Sequence, residues 1–385
     1  MSFKTKLRSF LPNWLVNTFW HLPKAILANL LYGFPSRNLT IIGITGTSGK
    51  TSVCHLLHHI LQASGLKAAL ISTISAPGLH VTNPEPFVLQ KLIKNAVKRG
   101  NQYLILEVTS HGLDQHRTWG IVFTYGVITN IRHEHLDYHR TFVNYQQAKL
   151  KLIKASQIAV LNQDDPSSNA ARKIAFGKIL TFSDHSDFQQ VNLNAALVVA
   201  KDLGLSQTKL DAAMRSFPGI PGRMEIIQTK PFAVVIDFAH KPDALEKALH
   251  SLNRLKSGQG RTIAVFGCAG LRDVLKRPIM GGISARLADI TILTAEDPRT
   301  EDLSKIIEAI AAGWREERKA NHHRLLIEPD RQKAINLAIK LAKPGDIVGL
   351  FGKAHEKSIC FGTIEYAWSE YRAVNTALKQ RRPHG

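Results

Sequence analysis

Short apolar runs alternate along most of this chain with longer stretches of helical period. In the first half, Thr40–Thr45, Ala68–Ser72, Tyr103–Val108, Tyr125–Thr129 and Ile158–Leu161 are β-branched or apolar runs that predict strands. Between them, Thr51–Ser64, Pro86–Arg99, Phe142–Ala155 and Leu193–Leu203 space their apolar residues three and four apart and predict helices. The rhythm resumes after Phe217-Pro-Gly-Ile-Pro-Gly-Arg223, a stretch whose Pro and Gly content predicts a linker. Strands are expected at Phe232–Asp237, Thr262–Phe266, Ile290–Thr294 and Asp346–Leu350. Helices are expected at Ala244–Leu255, Arg277–Ala288, Ser304–Trp314 and Asp330–Ala342. This is the pattern of an α/β chain with mostly parallel sheets covered by helices. The expected division is a short apolar and basic segment (1–38), a P-loop-type central domain (39–220) and a Rossmann-like α/β C-terminal domain (221–385).

The first 36 residues break the rhythm. They are apolar and basic, with Trp14, Phe19 and Trp20 near Lys24 and with Pro12 and Pro23 as interruptions. No uncharged run is long enough to span a bilayer, and no small-residue cleavage site follows. Two short amphipathic helices packed on the body are expected, with peripheral contact to a membrane or another protein as the alternative.

Composition adds one feature to this picture. The chain of 385 residues carries 50 Lys and Arg against 30 Asp and Glu, a net charge of +20 that favours anionic substrates. The basic residues are scattered and not interleaved with aromatics, so nucleic acid is not the expected partner. Three separated cysteines exclude a disulfide framework and fit a reducing, cytoplasmic setting.

Candidate chemistry starts at the end of the first predicted strand. Gly46-Thr-Ser-Gly-Lys-Thr-Ser52 turns from that strand into a helix, a phosphate cradle in which backbone N–H groups and the helix dipole hold phosphate oxygens. Lys50 would reach the outer phosphates and Thr51 a Mg²⁺ ion. Glu107 ends a buried strand where such proteins place a second metal ligand. The run Thr129-Asn-Ile-Arg-His-Glu-His-Leu-Asp-Tyr-His139 offers nitrogen and oxygen ligands at His133, Glu134, His135, Asp137 and His139. Zinc is one reading, and a metal and phosphate site beside the cradle explains the polar concentration better. Asn162 and Asp165 follow a strand and suit either a helix cap or a ribose contact. In the second half, polar tips follow four strands: Asp237 to His240, Gly267 to Arg277, Glu296 to Glu301 and Gly352 to Glu356. They suggest a cleft that closes over ATP and a second substrate.

The ordered set resembles the Mur ligases, most closely the tripeptide synthetase (MurE) branch. The likeness rests on Thr45-Gly-Thr-Ser-Gly-Lys-Thr51, Thr82-Asn-Pro-Glu85, Glu107-Val-Thr-Ser-His-Gly-Leu-Asp114, His135-Leu-Asp-Tyr-His139, Ala148-Lys149, Pro221-Gly-Arg223, Asp237-Phe-Ala-His-Lys-Pro-Asp243, Asp297-Pro-Arg-Thr-Glu301 and Gly352-Lys-Ala-His-Glu356. It covers residues 39 to about 370. The resemblance implies an ATP-dependent amide ligase of peptidoglycan precursor synthesis, a monomer, that activates a carboxylate as an acyl phosphate. It implies that Gly46, Thr47, Ser48, Gly49, Lys50, Thr51 and Ser52 bind ATP, and that Thr51 and Glu107 hold one Mg²⁺. A second Mg²⁺ would lie on His135 and a carbamylated Lys149. Asn162, Asp165, Arg223, Asp237, His240, Lys276 and Arg277 would serve the nucleotide or domain closure. Thr82, Asn83, Ser110, His111, Asp297, Arg299, Gly352 and Glu356 would serve the substrates, with Arg299 and Glu356 reading the carboxylate and amine of a diamino acid such as meso-diaminopimelate. Glu296 and Asp297 stand where the family has Asp and Asn. The implied acceptor is a UDP-MurNAc-dipeptide-like carboxylate. Because only about 38 residues precede the P-loop domain, where relatives carry a nucleotide-binding domain, a differently carried carboxylate is the alternative. A non-catalytic ATP-binding scaffold is a lesser one, since Lys50, Glu107, His135 and Lys149 are all present.

Overall fold

Six strands make the first sheet: β1 (Thr40–Thr45), β2 (Ala68–Ile71), β3 (Tyr103–Glu107), β4 (Phe123–Ile128), β5 (Ser156–Asn162) and β6 (Lys178–Phe182). They are all parallel and run in the order β2-β3-β1-β4-β5-β6. β1 therefore sits where the winding reverses, with Ile44 beside Glu107 on one side and beside Val127 on the other. Loops leaving the carboxyl ends of β1, β3 and β4 converge there, the place where open α/β sheets bind ligands. The sequence dictates this centrality: Ile41, Ile42 and Ile44 are fully buried, as expected for a strand covered on both faces. Ile42 and Ile44 meet Val53, Leu57 and Ile60 of the helix Lys50–Ala63. Ile41 packs the other face, with Leu89 and Ile93 of the helix Pro86–Lys98. Each such side chain contributes about 1.5–3 kcal/mol by leaving water.

The computed structural model describes residues 12–74, 82–132, 134–183, 188–256, 258–317 and 323–381. The chain divides into two units, Met1–Pro218 and Gly219–Gly385. The second has its own sheet of β7 (Glu225–Gln228), β8 (Ala233–Asp237), β9 (Thr262–Phe266), β10 (Ile290–Leu293), β11 (Arg324–Ile327) and β12 (Ile347–Phe351). Their order is β11-β10-β9-β12-β8-β7, parallel except for β7 against β8. A hairpin of β13 (Ser358–Phe361) and β14 (Ile364–Ala367) follows. The interior strands match the expected runs closely. The short outer strands β6, β7 and β11 and the hairpin are absent from the sequence reading, because half-exposed edges lack a strong apolar signal.

Of the N-terminal segment expected to form helices, the part from residue 12 onward is described, and it is a continuous helical run: Asn13–Val16, a π-helical turn at Asn17–His21, and Leu22–Tyr32. The wide turn lets the run continue through Pro23, whose ring would otherwise strike the carbonyl four residues back. Asn17, His21, Ala25, Ala28 and Asn29 face the body, and the large apolar side chains face outward. Among the described residues no helix is long and apolar enough to cross a membrane.

Candidate active site

The phosphate loop is held from below by the strand beside it. Thr129, just past β4, donates its hydroxyl to the Ser48 carbonyl at 2.7 Å. Asn130 Oδ1 accepts from the Ser48 amide at 3.1 Å, and the Asn130 carbonyl accepts from the Thr47 amide at 2.9 Å. Thr47 Oγ1 lies 2.9 Å from the Tyr145 hydroxyl. A methyl group on Gly46 would stand 1.8 Å from Thr129 Oγ1, so the loop closes this tightly only with glycine. Gly46→Ala is expected to lower kcat/KM by about a hundredfold, the size of effect a 1 Å misplacement produces. Steady-state kinetics beside a thermal melt of the variant would check it.

The helix Lys50–Ala63 begins directly after Gly49, which aims its dipole and first amides at the loop. Lys50 Nζ donates to the carbonyls of Gly46 and Thr47 at 2.8 and 3.1 Å. Lys149 reaches the same Gly46 carbonyl from the helix Phe142–Lys154, at 2.6 Å, and lies over the Tyr145 ring. Lys149 is buried, and the two lysine side chains converge on one carbonyl oxygen.

Next to this pair, Thr51 Oγ1 lies 3.1 Å from both oxygens of Glu107. The amide and hydroxyl of Thr73 also donate to Glu107 Oε2, at 3.0 and 3.1 Å. The result is a buried group of hard oxygen atoms beside the phosphate cradle, chemistry that fits Mg²⁺ rather than zinc. The described residues hold no group of three or more His, Cys, Asp or Glu placed to bind a metal.

His135 takes a left-handed backbone conformation (φ 54°) and is half-exposed beside Glu134, 3.7 Å away. Its ring packs edge-on to His111, which also touches Tyr138 and His139. His139 is bonded to Ser110 Oγ at 3.0 Å, and burial lowers its imidazole to about 4, keeping it neutral. Ser110, His111 and His135 thus share one wall. His133 and the Asp137 side chain lie outside the described residues.

Several other predicted site residues have partners inside the protein. Asn83 is buried and staples the loop after β3, donating to the Glu107 carbonyl and accepting from Thr109. Thr82 meets Thr73 at 2.8 Å. Asn162 ties the ends of β4 and β5 by donating to the Thr129 carbonyl. Asp165 accepts from Ser167 at the start of the helix Ser167–Arg172, and its other oxygen lies 3.4 Å from Arg132.

In the second unit the polar tips also cluster at carboxyl ends of strands. Asp237 accepts from the amides of Met224 and Ala239, and burial raises its carboxyl despite Arg223. Arg223 stacks on Phe238, which also touches His240, and Lys276 donates to the His240 carbonyl at 2.7 Å. Arg277, expected to serve the nucleotide or domain closure, has a carboxylate partner within the chain. It is buried in a bidentate pair with Glu301, at 2.6 and 2.8 Å, which pulls the Glu301 carboxyl down to about 2. Its two terminal nitrogens hold two loops together.

Lys353, which the sequence reading left without a role of its own, is the hub of this cluster. It is buried and reaches Asp297 at 2.9 Å and Glu356 at 2.6 Å. Asp297 also accepts from the Cys360 amide, and Arg299 exchanges backbone bonds with Cys360 and Gly362. The loops carrying Asp297, Arg299 and Glu356 are thereby fixed on the hairpin. The signal for Lys353 was a lone lysine directly after an apolar strand and flanked by Gly352 and Ala354.

Glu296 lies under this hub. Burial pushes its carboxyl up to about 7, against the pull of Lys276, Lys353 and Arg331 and with the nearby Glu356 adding to the rise. Gly352 above it has a φ of 101°, a conformation that favours glycine, and a Cβ there would stand 3.1 Å from Glu296 Oε2. The native state therefore holds a proton that the unfolded chain releases near 4.5. The associated stability is full below that value and lost as pH rises through about 7. Glu296→Gln is expected to be more stable than the parent at pH 8 by up to about 3 kcal/mol, with the gain vanishing near pH 4.5. Denaturant titrations at the two pH values would check this.

Known proteins resemble this chain in sequence and fold. The profile of the Mur ligase middle domain matches residues 44–219, and that of the Mur ligase, glutamate ligase domain matches 222–354. The UDP-N-acetylmuramoyl-L-alanyl-D-glutamate–2,6-diaminopimelate ligase of Thermosynechococcus vestitus is 36% identical over 92% of this chain and 80% of its own length. The UDP-N-acetylmuramyl-tripeptide synthetase of Roseiflexus sp. is 35% identical over 92% of this chain and 82% of its own. A solved UDP-N-acetylmuramoyl-L-alanyl-D-glutamate–2,6-diaminopimelate ligase superposes with a TM-score of 0.60 at 30% identity, covering 90% of this chain and 79% of that one. A Mycobacterium tuberculosis folylpolyglutamate synthase complexed with ADP shares the fold, with a TM-score of 0.72 at 18% identity over 94% and 95% of the two chains. With both domain profiles matched and relatives above 30% identity over most of their length, the chain belongs to the Mur ligase family, in its tripeptide synthetase branch.

Proposed function

We propose that this protein is an ATP-dependent amide ligase that adds a diamino acid, meso-diaminopimelate by resemblance, to a UDP-MurNAc-dipeptide-like carboxylate in peptidoglycan precursor synthesis. The observation that carries the reading is the convergence of Lys50, Lys149, Thr51 and Glu107 on one phosphate loop. The loop amides and Lys50 bind the ATP phosphates. An acceptor carboxylate oxygen attacks the γ-phosphorus, forming an acyl phosphate as the bond to ADP breaks. The amine then attacks the acyl carbon, forming the amide as phosphate leaves and the nitrogen gives up a proton. The cradle and the lysines neutralise charge that spreads over the transferred phosphoryl group. Thr51 and Glu107 would hold Mg²⁺, with His135 and a carbamylated Lys149 at a second ion, and the ions would supply further charge neutralisation. Arg299 and Glu356 are assigned to the distal carboxylate and amine of the incoming diamino acid, on loops that Lys353 fixes. Relatives whose names specify 2,6-diaminopimelate support that choice. Phosphate release from ATP, measured against a panel of carboxylates and amines, tests it. Release that needs both UDP-MurNAc-dipeptide and diaminopimelate is expected; turnover only on an unrelated pair would overturn the assignment.

A further inference from the structure

The outward face of the N-terminal helical run has no counterpart in the ligation chemistry. Trp14, Phe19, Trp20, Leu27, Leu30 and Leu31 are each between 58% and 71% exposed. Trp20, Lys24, Leu27 and Leu31 follow helical spacing and form one stripe, and Lys24 lies 4.3 Å over the Trp20 ring. A soluble helix turns such a stripe inward. Here the inward stripe is polar or small, and it is specifically anchored. Asn17 donates to Asp114 at 2.8 Å, Asn13 to the Tyr138 carbonyl at 3.0 Å, and Asn29 to the Trp119 carbonyl at 2.7 Å. The orientation is therefore fixed by hydrogen bonds that would be lost if the run rolled over.

Charge identifies what the face meets. No Asp or Glu occurs from Met1 to Pro84, while Lys4, Lys6, Arg8, Lys24 and Arg37 accompany the apolar residues. The neighbouring helix Pro86–Lys98, which packs on Leu22–Tyr32, adds exposed Lys91 and Lys98, and Lys94 reaches the Tyr32 ring. Two copies meeting through this face would bring only positive charge together, which opposes self-association. A lipid surface with anionic headgroups complements both properties, since aromatic rings settle at the headgroup level and basic side chains pair with the phosphates. The run is too short and too polar on its inner side to cross a bilayer. We infer that residues 13–32 form an interfacial helix that docks this ligase on an anionic membrane surface, with Trp20, Leu27 and Leu31 inserted and the body remaining in water.

Flotation of the full chain with vesicles tests this. Vesicles of phosphatidylcholine with 30% phosphatidylglycerol are expected to carry the protein at least about tenfold better than phosphatidylcholine alone, and less well in high salt, because binding has both an apolar and an electrostatic part. The triple variant Trp20→Ser, Leu27→Ser, Leu31→Ser changes only exposed positions and is expected to lose that flotation about tenfold or more with an unchanged melting temperature. Absence of parent flotation on anionic vesicles would overturn the inference. So would equal flotation on both lipids, or a dimer in sedimentation velocity that the triple variant dissolves while flotation stays unchanged.

Discussion

Lys149→Ala is expected to lower ligation by about 10²–10³-fold, the cost of removing one preorganised charge from the site of phosphoryl transfer. The expectation follows from burial and geometry. Lys149 shares the Gly46 carbonyl with Lys50, at 2.6 and 2.8 Å, inside a loop that must also accept phosphates. A neutral Lys149 amine can attack CO₂, forming an N–C bond and releasing a proton, and the product is a carboxylate-like ligand. If that is its working form, acetate or formate should restore part of the activity of the alanine variant. Steady-state rates with and without the acid distinguish the cases. Full activity in Lys149→Ala would refute the role altogether, and a dead enzyme beyond rescue would refute the carbamate while leaving the cation.

Arg331→Met is expected to destabilise the second unit by about 3–5 kcal/mol, because it strands a buried carboxylate. Arg331 and Glu370 are almost completely buried, and the guanidinium donates to Glu370 at 2.5 and 3.0 Å. It also donates to the carbonyls of Ala295 and Phe351, at 3.0 and 2.9 Å, the roots of the loops that carry Arg299 and Glu356. Trp368 Nε1 completes the carboxylate's partners at 2.8 Å. Replacing both ions, as Arg331→Met with Glu370→Leu, is expected to recover much of the loss, since the desolvation cost disappears with the charges. Denaturant unfolding followed by tryptophan fluorescence would measure both. A loss below about 1 kcal/mol in the single variant would show that the pair is not dry.

Interior strands were legible because burial on both faces leaves uninterrupted β-branched runs, as in Ile41 to Thr45 and Val234 to Asp237. Lys50, Thr51 and Glu107 were legible for a related reason. A phosphate loop must follow a strand and open a helix, so spacing alone locates its parts. What could not be read was the use of polar residues as internal fasteners. Asn83, Asp165 and Arg277 each make hydrogen bonds within the chain that no local sequence pattern announces. Lys353 is a further case, a lysine with no local pattern whose partners lie in loops distant along the chain. The N-terminal run was hardest, because periodicity shows that a helix has an apolar face without showing which way it points.

The central claim is that a substrate carboxylate is activated by direct phosphoryl transfer. The acceptor should be prepared with ¹⁸O in its terminal carboxylate and turned over with ATP and diamino acid, and the released phosphate examined by mass spectrometry. The mechanism predicts one ¹⁸O in each phosphate, carried from the carboxylate through the acyl phosphate. Amide product formed alongside unlabelled phosphate, with the departing ¹⁸O found in AMP or water instead, would contradict it.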